Sequence, residues 1–211
     1  MRLALALLLA AAASMASAQN TVTLDPVGEY AEIDTSAMTQ AIDALFDAST
    51  REETVAAVTA NPGDYAPPVL MVLSEAIRVD GGDIGEAAFW FYAAQLRARG
   101  DANLVTDPTA AGAVDQLNQR FGPAINQAMF ADLDALESVV TRVAEWDAET
   151  PRDYDPRWIA LSGMGAMTAA QEGEAVGEIL IPEADREATV ARVRDEYMAG
   201  FRAALAQARG Q

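Results

Sequence analysis

The chain has 211 residues, with 14 basic residues against 32 acidic ones and a formal net charge of −18 at pH 7. It contains no His, Cys or Lys, which excludes Ser-His and Cys-His nucleophiles, imidazole or thiolate metal sites, disulfides and Schiff-base lysines. The acidity argues against nucleic acids and anionic membranes as partners, because both are negatively charged. We therefore predict no cofactor, no metal site and no enzymatic activity, unless carboxylates alone do the chemistry.

Residues 1–18 have the pattern of a signal peptide. Arg2 gives a positive start, Leu3–Ala13 is an apolar run, and Ala16-Ser17-Ala18 is a small-x-small cleavage site. The run is shorter than the roughly 20 residues needed to span a bilayer. We predict cleavage after Ala18 and a periplasmic or secreted protein without an integral membrane segment. Cleavage removes one Arg, so the predicted net charge of the mature chain is −19.

The sequence after the cleavage site predicts an extended arm over residues 19–34 and a single α-helical domain over residues 35–211. The arm contains Pro26 and Gly28 among scattered acidic residues. A first helix is expected from about residue 35 to residue 48. Thr50 and Glu53 have the spacing of a capping box for a second helix, and Pro67 suits the first turn of a third.

The stretch Asp83–Gly100 predicts the central helix of the fold, over residues 83–99. Asp83 is a suitable N-cap, and Glu86 lies three positions further on. Four aromatic residues follow without a break at 89–92. Successive helical positions point about 100° apart, so these rings cover most of the circumference and must be enclosed by other helices. The features that predict the helix C-terminus are Arg97, Arg99 and Gly100.

The residues around this helix form a pattern that resembles a known hairpin. It reads Leu73-x-x-Ala76, then Gly82-Asp83-x-x-Glu86-Ala87-x-x-Trp90-Phe91-x-x-Ala94. Residues 73–94 thereby resemble one helix-turn-helix unit of the tetratricopeptide and Sel1-like repeat families. The resemblance implies a helical scaffold that binds peptides or proteins. The sequence has no second copy of this pattern, and a solenoid needs about three repeats, so a repeat solenoid is not expected.

The C-terminal half predicts four more helical segments. One begins at Pro108 and is broken by Gly122-Pro123, and a short one ends at Phe130. Another begins at Asp132 and carries a regular apolar stripe to Trp146. Residues 162–165 and 171–177 are expected to be flexible connections, followed by a final helix from about residue 183 to residue 209. Five of the 13 mature arginines lie on that last helix, where we expect them to face outward: Arg186, Arg192, Arg194, Arg202 and Arg209.

The segment from residue 146 to residue 158 is the candidate binding site, because it combines aromatic and charged residues in a loop held by two prolines. One interpretation makes Trp146, Tyr154 and Trp158 a stacking platform for a sugar or peptide. The polar contacts of that platform would be Arg152, Asp153, Asp155 and Arg157. In the other interpretation the segment is a structural lid, in which Asp155 caps a helix and Trp158 packs on the core.

The fold that these patterns predict is an all-α domain of seven to eight helices around the central aromatic helix. Three functions are compatible with it. The first is a periplasmic protein-binding module, such as an inhibitor or immunity-type protein, whose partner is unknown. The second is a small-molecule or glycan-binding protein that uses the 146–158 segment. The third is a carboxylate-based cell-wall hydrolase, for which Glu75 and Glu86 lie near the aromatic helix.

Overall fold

A computed structural model describes residues 25–173 and 177–210, and the predicted signal peptide lies outside these residues. The prediction of an all-α fold is confirmed. The described residues form eight α-helices: α1 Ser36–Phe46, α2 Arg51–Ala60, α3 Pro67–Val79, α4 Ile84–Leu104, α5 Gly112–Met129, α6 Leu133–Glu149, α7 Met164–Glu172 and α8 Glu183–Arg209. Four short 3₁₀ helices lie between or before them: Gly28–Glu32, Pro62–Asp64, Pro108–Ala111 and Pro156–Ser162.

Helix α4 occupies the centre of the domain, as the aromatic run predicts. It contacts α3, α5, α6 and α8, which surround it. The four consecutive rings of residues 89–92 are all buried. Phe89 and Trp90 meet edge to face at 5.0 Å, and Trp146 of α6 packs edge-on against both. The domain is therefore built outward from the aromatic first half of α4, which is apolar on all sides.

The hairpin of α3 and α4 is closed by local contacts, of which the Asp83 cap was predicted from the sequence. The Asp83 carboxylate accepts a hydrogen bond from the Glu86 backbone N–H at 2.8 Å and caps α4. The Glu86 carboxylate does not complete a capping box; it accepts a hydrogen bond from the Trp90 indole at 2.8 Å. The Ser74 hydroxyl donates to the Ala87 carbonyl at 2.6 Å and ties the two helices together.

The predicted end of the central helix is wrong, because α4 continues through Gly100 to Leu104. A Cβ atom at Gly100 would lie 2.9 Å from the Arg152 Nη1 atom. Gly100 therefore does not end the helix; it leaves room for the Arg152 side chain, which packs across the helix there. Arg97, expected in the last turn of the helix, lies two turns before its end and is fully buried.

Helix α5 is also longer than predicted and passes through Gly122 and Pro123 without a break. A Cβ atom at Gly122 would lie 3.1 Å from the ring of Phe91, so the close packing of α5 on α4 requires a small residue there. Pro123 is exposed and lacks the N–H group that a helix bonds. Burial of Phe121 and Ile125 on either side keeps the helix continuous.

A second, smaller hydrophobic cluster surrounds the C-terminal half of α4 and includes two segments whose conformation was predicted wrongly. Residues 28–32, expected to be extended, form a 3₁₀ helix that buries Tyr30. Residues 164–172, part of which was expected to be a flexible connection, form α7. The first turn of α7 is held from elsewhere in the chain: the Asp107 carboxylate accepts from the Gly165 N–H at 2.7 Å, and the Thr109 hydroxyl accepts from the Met164 N–H at 2.8 Å.

The last helix, α8, has the predicted bounds and returns across α4 and α6. Just before α8, Leu180 forms one antiparallel bridge with Val105. Within residues 25–173 and 177–210, no helix contains a stretch that is long and apolar enough to cross a bilayer.

The central position of the aromatic run predicts a large stability cost for truncating one of its rings. Phe91→Ala removes a fully buried ring and should lower the free energy of unfolding by about 3–5 kcal/mol. Phe130→Ala is the matched control, because that ring is 56% exposed, and it should cost less than about 1 kcal/mol. Urea denaturation measures both values, and equal losses would contradict the central position of α4.

Candidate functional site

Two buried carboxylates, Asp101 and Asp147, are bridged by one arginine near the end of the aromatic helix. Asp101 lies on α4 and Asp147 lies near the end of α6, and neither side chain is exposed to solvent. Arg152, from the loop after α6, places its Nη1 atom 3.2 Å from the Asp101 carboxylate and its Nη2 atom 2.8 Å from the Asp147 carboxylate. The bridge thus fixes the loop to two helices.

Asp147 binds two further arginines. The Arg97 Nε atom of α4 donates to it at 3.2 Å, and the Arg194 Nε atom of α8 donates to it at 2.9 Å. One carboxylate therefore receives hydrogen bonds from three guanidinium groups on three different segments. We call these five residues the buried charge cluster: Arg97, Asp101, Asp147, Arg152 and Arg194.

The charges of the buried charge cluster do not cancel, since three guanidinium groups face two carboxylates. Arg97 is the most enclosed of the three arginines: its side chain is fully buried, its guanidinium lies 4.2 Å from the Trp146 ring centroid, and burial lowers its pKa. It donates to the Thr150 carbonyl at 2.8 Å, while its Nη1 atom is buried without a hydrogen-bond partner among the described residues. Removing these charged groups from water is costly, so the cluster is weak evidence that its charges stabilise the fold. Charged groups with perturbed pKa values are common at functional sites, so the cluster is a candidate functional feature.

Asp101 also organises two aromatic side chains of the loop. The Trp158 indole donates to its carboxylate at 2.8 Å, and the Tyr154 hydroxyl donates at 3.2 Å. Burial raises the pKa of Asp101 to about 6, although the Arg152 guanidinium and these hydrogen bonds act in the opposite direction. Burial and the charge of Asp101 raise the pKa of Tyr154 well above its ordinary value. The phenol therefore remains a neutral donor at physiological pH.

A groove of about 480 Å³ opens beside the buried charge cluster, between the 152–156 loop and α8. Its charged lining residues within the described part of the chain are three arginines and one acid: Arg152, Arg186, Arg194 and Glu187. Tyr154 lies at one side, and the remaining walls are apolar: Leu104, Ala148, Pro156, Val190 and Ala191. We call this feature the basic groove. Its volume falls in the range typical of small-molecule sites.

The guanidinium groups of the basic groove are held in place and still have donors to offer. Arg194 is fixed through its Nε and Nη2 atoms, which donate to the carboxylate and the carbonyl of Asp147. Arg186 donates from its Nε atom to the Ile181 carbonyl at 3.1 Å. The hydrogen bonds among the described residues leave both Nη atoms of Arg186 and the Nη1 atom of Arg194 unused. These atoms are suited to bind an anion.

The seven residues predicted as a binding loop are divided among different environments. Arg152 and Tyr154 line the basic groove. Asp155 and Arg157 form a partly exposed ion pair of 2.8 Å, and Asp153 is exposed. Only part of the predicted set therefore reaches one site.

The stacking platform expected from Trp146, Tyr154 and Trp158 is not formed. Trp158 is 8% exposed and points its indole at Asp101, and Trp146 packs between the aromatic core and Arg97. Pro156 begins a 3₁₀ helix that Asp155 caps, which is the arrangement of the lid interpretation. On its other side the loop borders a smaller cavity of about 170 Å³, which Tyr154 and Trp158 line together with acidic residues.

Five residues of the site were not predicted as functional: Arg97, Asp101, Asp147, Arg186 and Arg194. The concentration of arginines on the last helix of an acidic chain was the available signal. Arg186 and Arg194 were expected to face outward, but both are partly buried at the basic groove.

The carboxylates named for a hydrolase are engaged in local contacts. Glu75 forms an ion pair of 2.7 Å with Arg78, and Glu86 accepts the Trp90 indole. In the part of the chain that the structure covers, no three acidic side chains are grouped to hold a metal ion. Comparison with protein-family models, curated proteins and solved structures finds no match for this chain.

The raised pKa of Asp101 predicts a pH-dependent stability. Asp101 binds a proton more tightly in the folded state than in the unfolded state. Its protonated form therefore contributes to the free energy of unfolding below about pH 4, and this contribution is lost as the pH rises through about 6. The free energy of unfolding of the wild type, relative to that of Asp101→Asn, should fall across this window by up to about 3 kcal/mol.

Urea denaturation at a series of pH values measures this difference. Asp155→Asn is the control with the opposite sign: burial raises the pKa of Asp155, but hydrogen bonds from Arg157 outweigh it and the net direction is downward. The wild type should therefore gain stability over Asp155→Asn as the pH rises. A gain over Asp101→Asn in the same window would contradict the assignment.

Proposed function

We propose that this chain is an exported binding protein whose ligand is a small anion held in the basic groove. The observation that carries the proposal is the placement of Arg152, Arg186 and Arg194 around one groove in a chain of net charge −18. The overall field of such a chain repels anions. A local group of guanidinium donors with low-dielectric walls is therefore the feature that selects them.

Preorganisation supports this function. Arg152 and Arg194 are both held by the Asp147 carboxylate, so their donors are oriented before any ligand arrives. The entropy cost of ordering two long side chains is met during folding rather than on binding. The two aspartates lie behind the arginines as positioning residues and are fully buried, so they do not compete in the groove as exposed acids.

Export is the second part of the proposal and rests on the signal-peptide pattern of residues 1–18. A periplasmic binding role agrees with a chain that has no His, Cys or Lys for catalysis. Binding of a protein partner, the first function indicated by the acidic composition, stays a prediction. The surface feature that favours it is the exposed pair Phe46 and Val79, which line a small cavity between α1 and α3.

Isothermal titration with phosphate, sulfate and adipate, and with putrescine as a cationic control, tests the proposal at constant ionic strength. At least one anion should bind, and putrescine should not bind at this groove. Arg186→Gln should weaken adipate binding about tenfold or more, because it removes charge-assisted hydrogen bonds. Arg202→Gln is the matched control: this exposed arginine lies on the same helix, about 24 Å away along its axis. Equal effects of the two variants on adipate binding, or no anion binding, would overturn the proposal.

A further inference from the structure

The basic groove has its positive charges at separate places along one helix. Arg186, Val190 and Arg194 follow each other at intervals of four residues on α8 and line the same groove. Positions i, i+4 and i+8 lie along one helix face, so the two arginines are about 12 Å apart along the helix axis with a valine between them.

Contacts beyond α8 keep the two guanidinium groups apart. Arg194 extends towards α6, where it shares the Asp147 carboxylate with Arg152. Arg186 instead donates to the Ile181 carbonyl, which lies five residues before it and ahead of the first residue of α8. One end of the groove therefore has Arg152 and Arg194, and the other end has Arg186.

The space between these ends is apolar. Val190 and Ala191 of α8 face the groove on one side, and Leu104 and Pro156 line it elsewhere. A compact inorganic anion would leave these aliphatic walls in contact with water. A ligand with a chain of methylene groups covers them, and each buried methylene stabilises the complex by the hydrophobic effect.

From this arrangement we infer that the ligand is an aliphatic dicarboxylate, with one carboxylate at each end of a short methylene chain. The inference rests on the proposed function and adds the chemical class of the ligand. At one end both Nη atoms of Arg186 are unused, so its planar guanidinium group can bind a carboxylate through two hydrogen bonds, and at the other end the unused Nη1 atom of Arg194 can donate to the second carboxylate. Glu187 lies beside Arg186 on the helix and disfavours a terminal group with more than one negative charge.

Isothermal titration with the series succinate, glutarate, adipate, pimelate and suberate tests the inference, at pH 7.5 and constant ionic strength. Hexanoate and inorganic phosphate are the comparison probes. We expect the affinity to rise by about two- to fourfold per methylene to an optimum within the series and then to fall. At the optimum, the dicarboxylate should bind at least tenfold more tightly than hexanoate and phosphate, because it contacts both ends of the groove.

Arg186→Gln removes the positive charge at one end of the groove and leaves the buried charge cluster unchanged. It should reduce the affinity for adipate to about that of hexanoate, while hexanoate, bound at the Arg194 end, changes by less than about threefold. Arg202→Gln should change neither value. Circular dichroism verifies that each variant is folded.

The outcomes distinguish the inference from the proposed function. If hexanoate binds as tightly as the best dicarboxylate, or if phosphate binds more tightly than every carboxylate, the dicarboxylate assignment is overturned while anion binding stands. If the affinity shows no optimum with chain length across the dicarboxylate series, the two-ended arrangement is wrong. If no anion binds at all, both the inference and the proposed function fail.

Discussion

The Asp147 carboxylate and its three guanidinium partners are the interaction on which the site depends. They connect α4, α6, the loop after α6 and α8 at one point, through Arg97, Arg152 and Arg194. Burying these charges is costly, and the hydrogen bonds among them recover that cost only if every partner is present. The same contacts orient Arg152 and Arg194 at the basic groove.

Helix α4 links this cluster to the fold, because its two halves have different roles. The first half presents the aromatic rings of residues 89–92 to the surrounding helices. The second half presents Arg97 and Asp101, one turn apart, to the loop and to α6. Gly100 lies between them and lets Arg152 approach the helix backbone. The hydrophobic first half of α4 therefore positions the polar second half, and the contacts of that second half position the arginines of the basic groove.

The features that could be predicted from the sequence are those determined by neighbouring residues. The Asp83 cap, the burial of the aromatic run and the bounds of α8 depend on spacings of a few residues, and all three predictions are confirmed. The buried charge cluster joins residues separated by about 50 positions along the chain, such as Arg97 and Asp147, which no local pattern indicates. The cap of α7 is likewise supplied by Asp107 and Thr109, more than 50 residues earlier.

The central claim is that Asp147 is the shared counter-charge of three guanidinium groups, and its substitution tests that claim most directly. Asp147→Asn should lower the free energy of unfolding by about 3–5 kcal/mol, because buried guanidinium groups lose their counter-charge. Asp134→Asn also removes one negative charge but breaks an exposed ion pair with Arg209, and it should cost less than about 1 kcal/mol. A loss for Asp147→Asn that is no greater than the loss for Asp134→Asn would contradict the account.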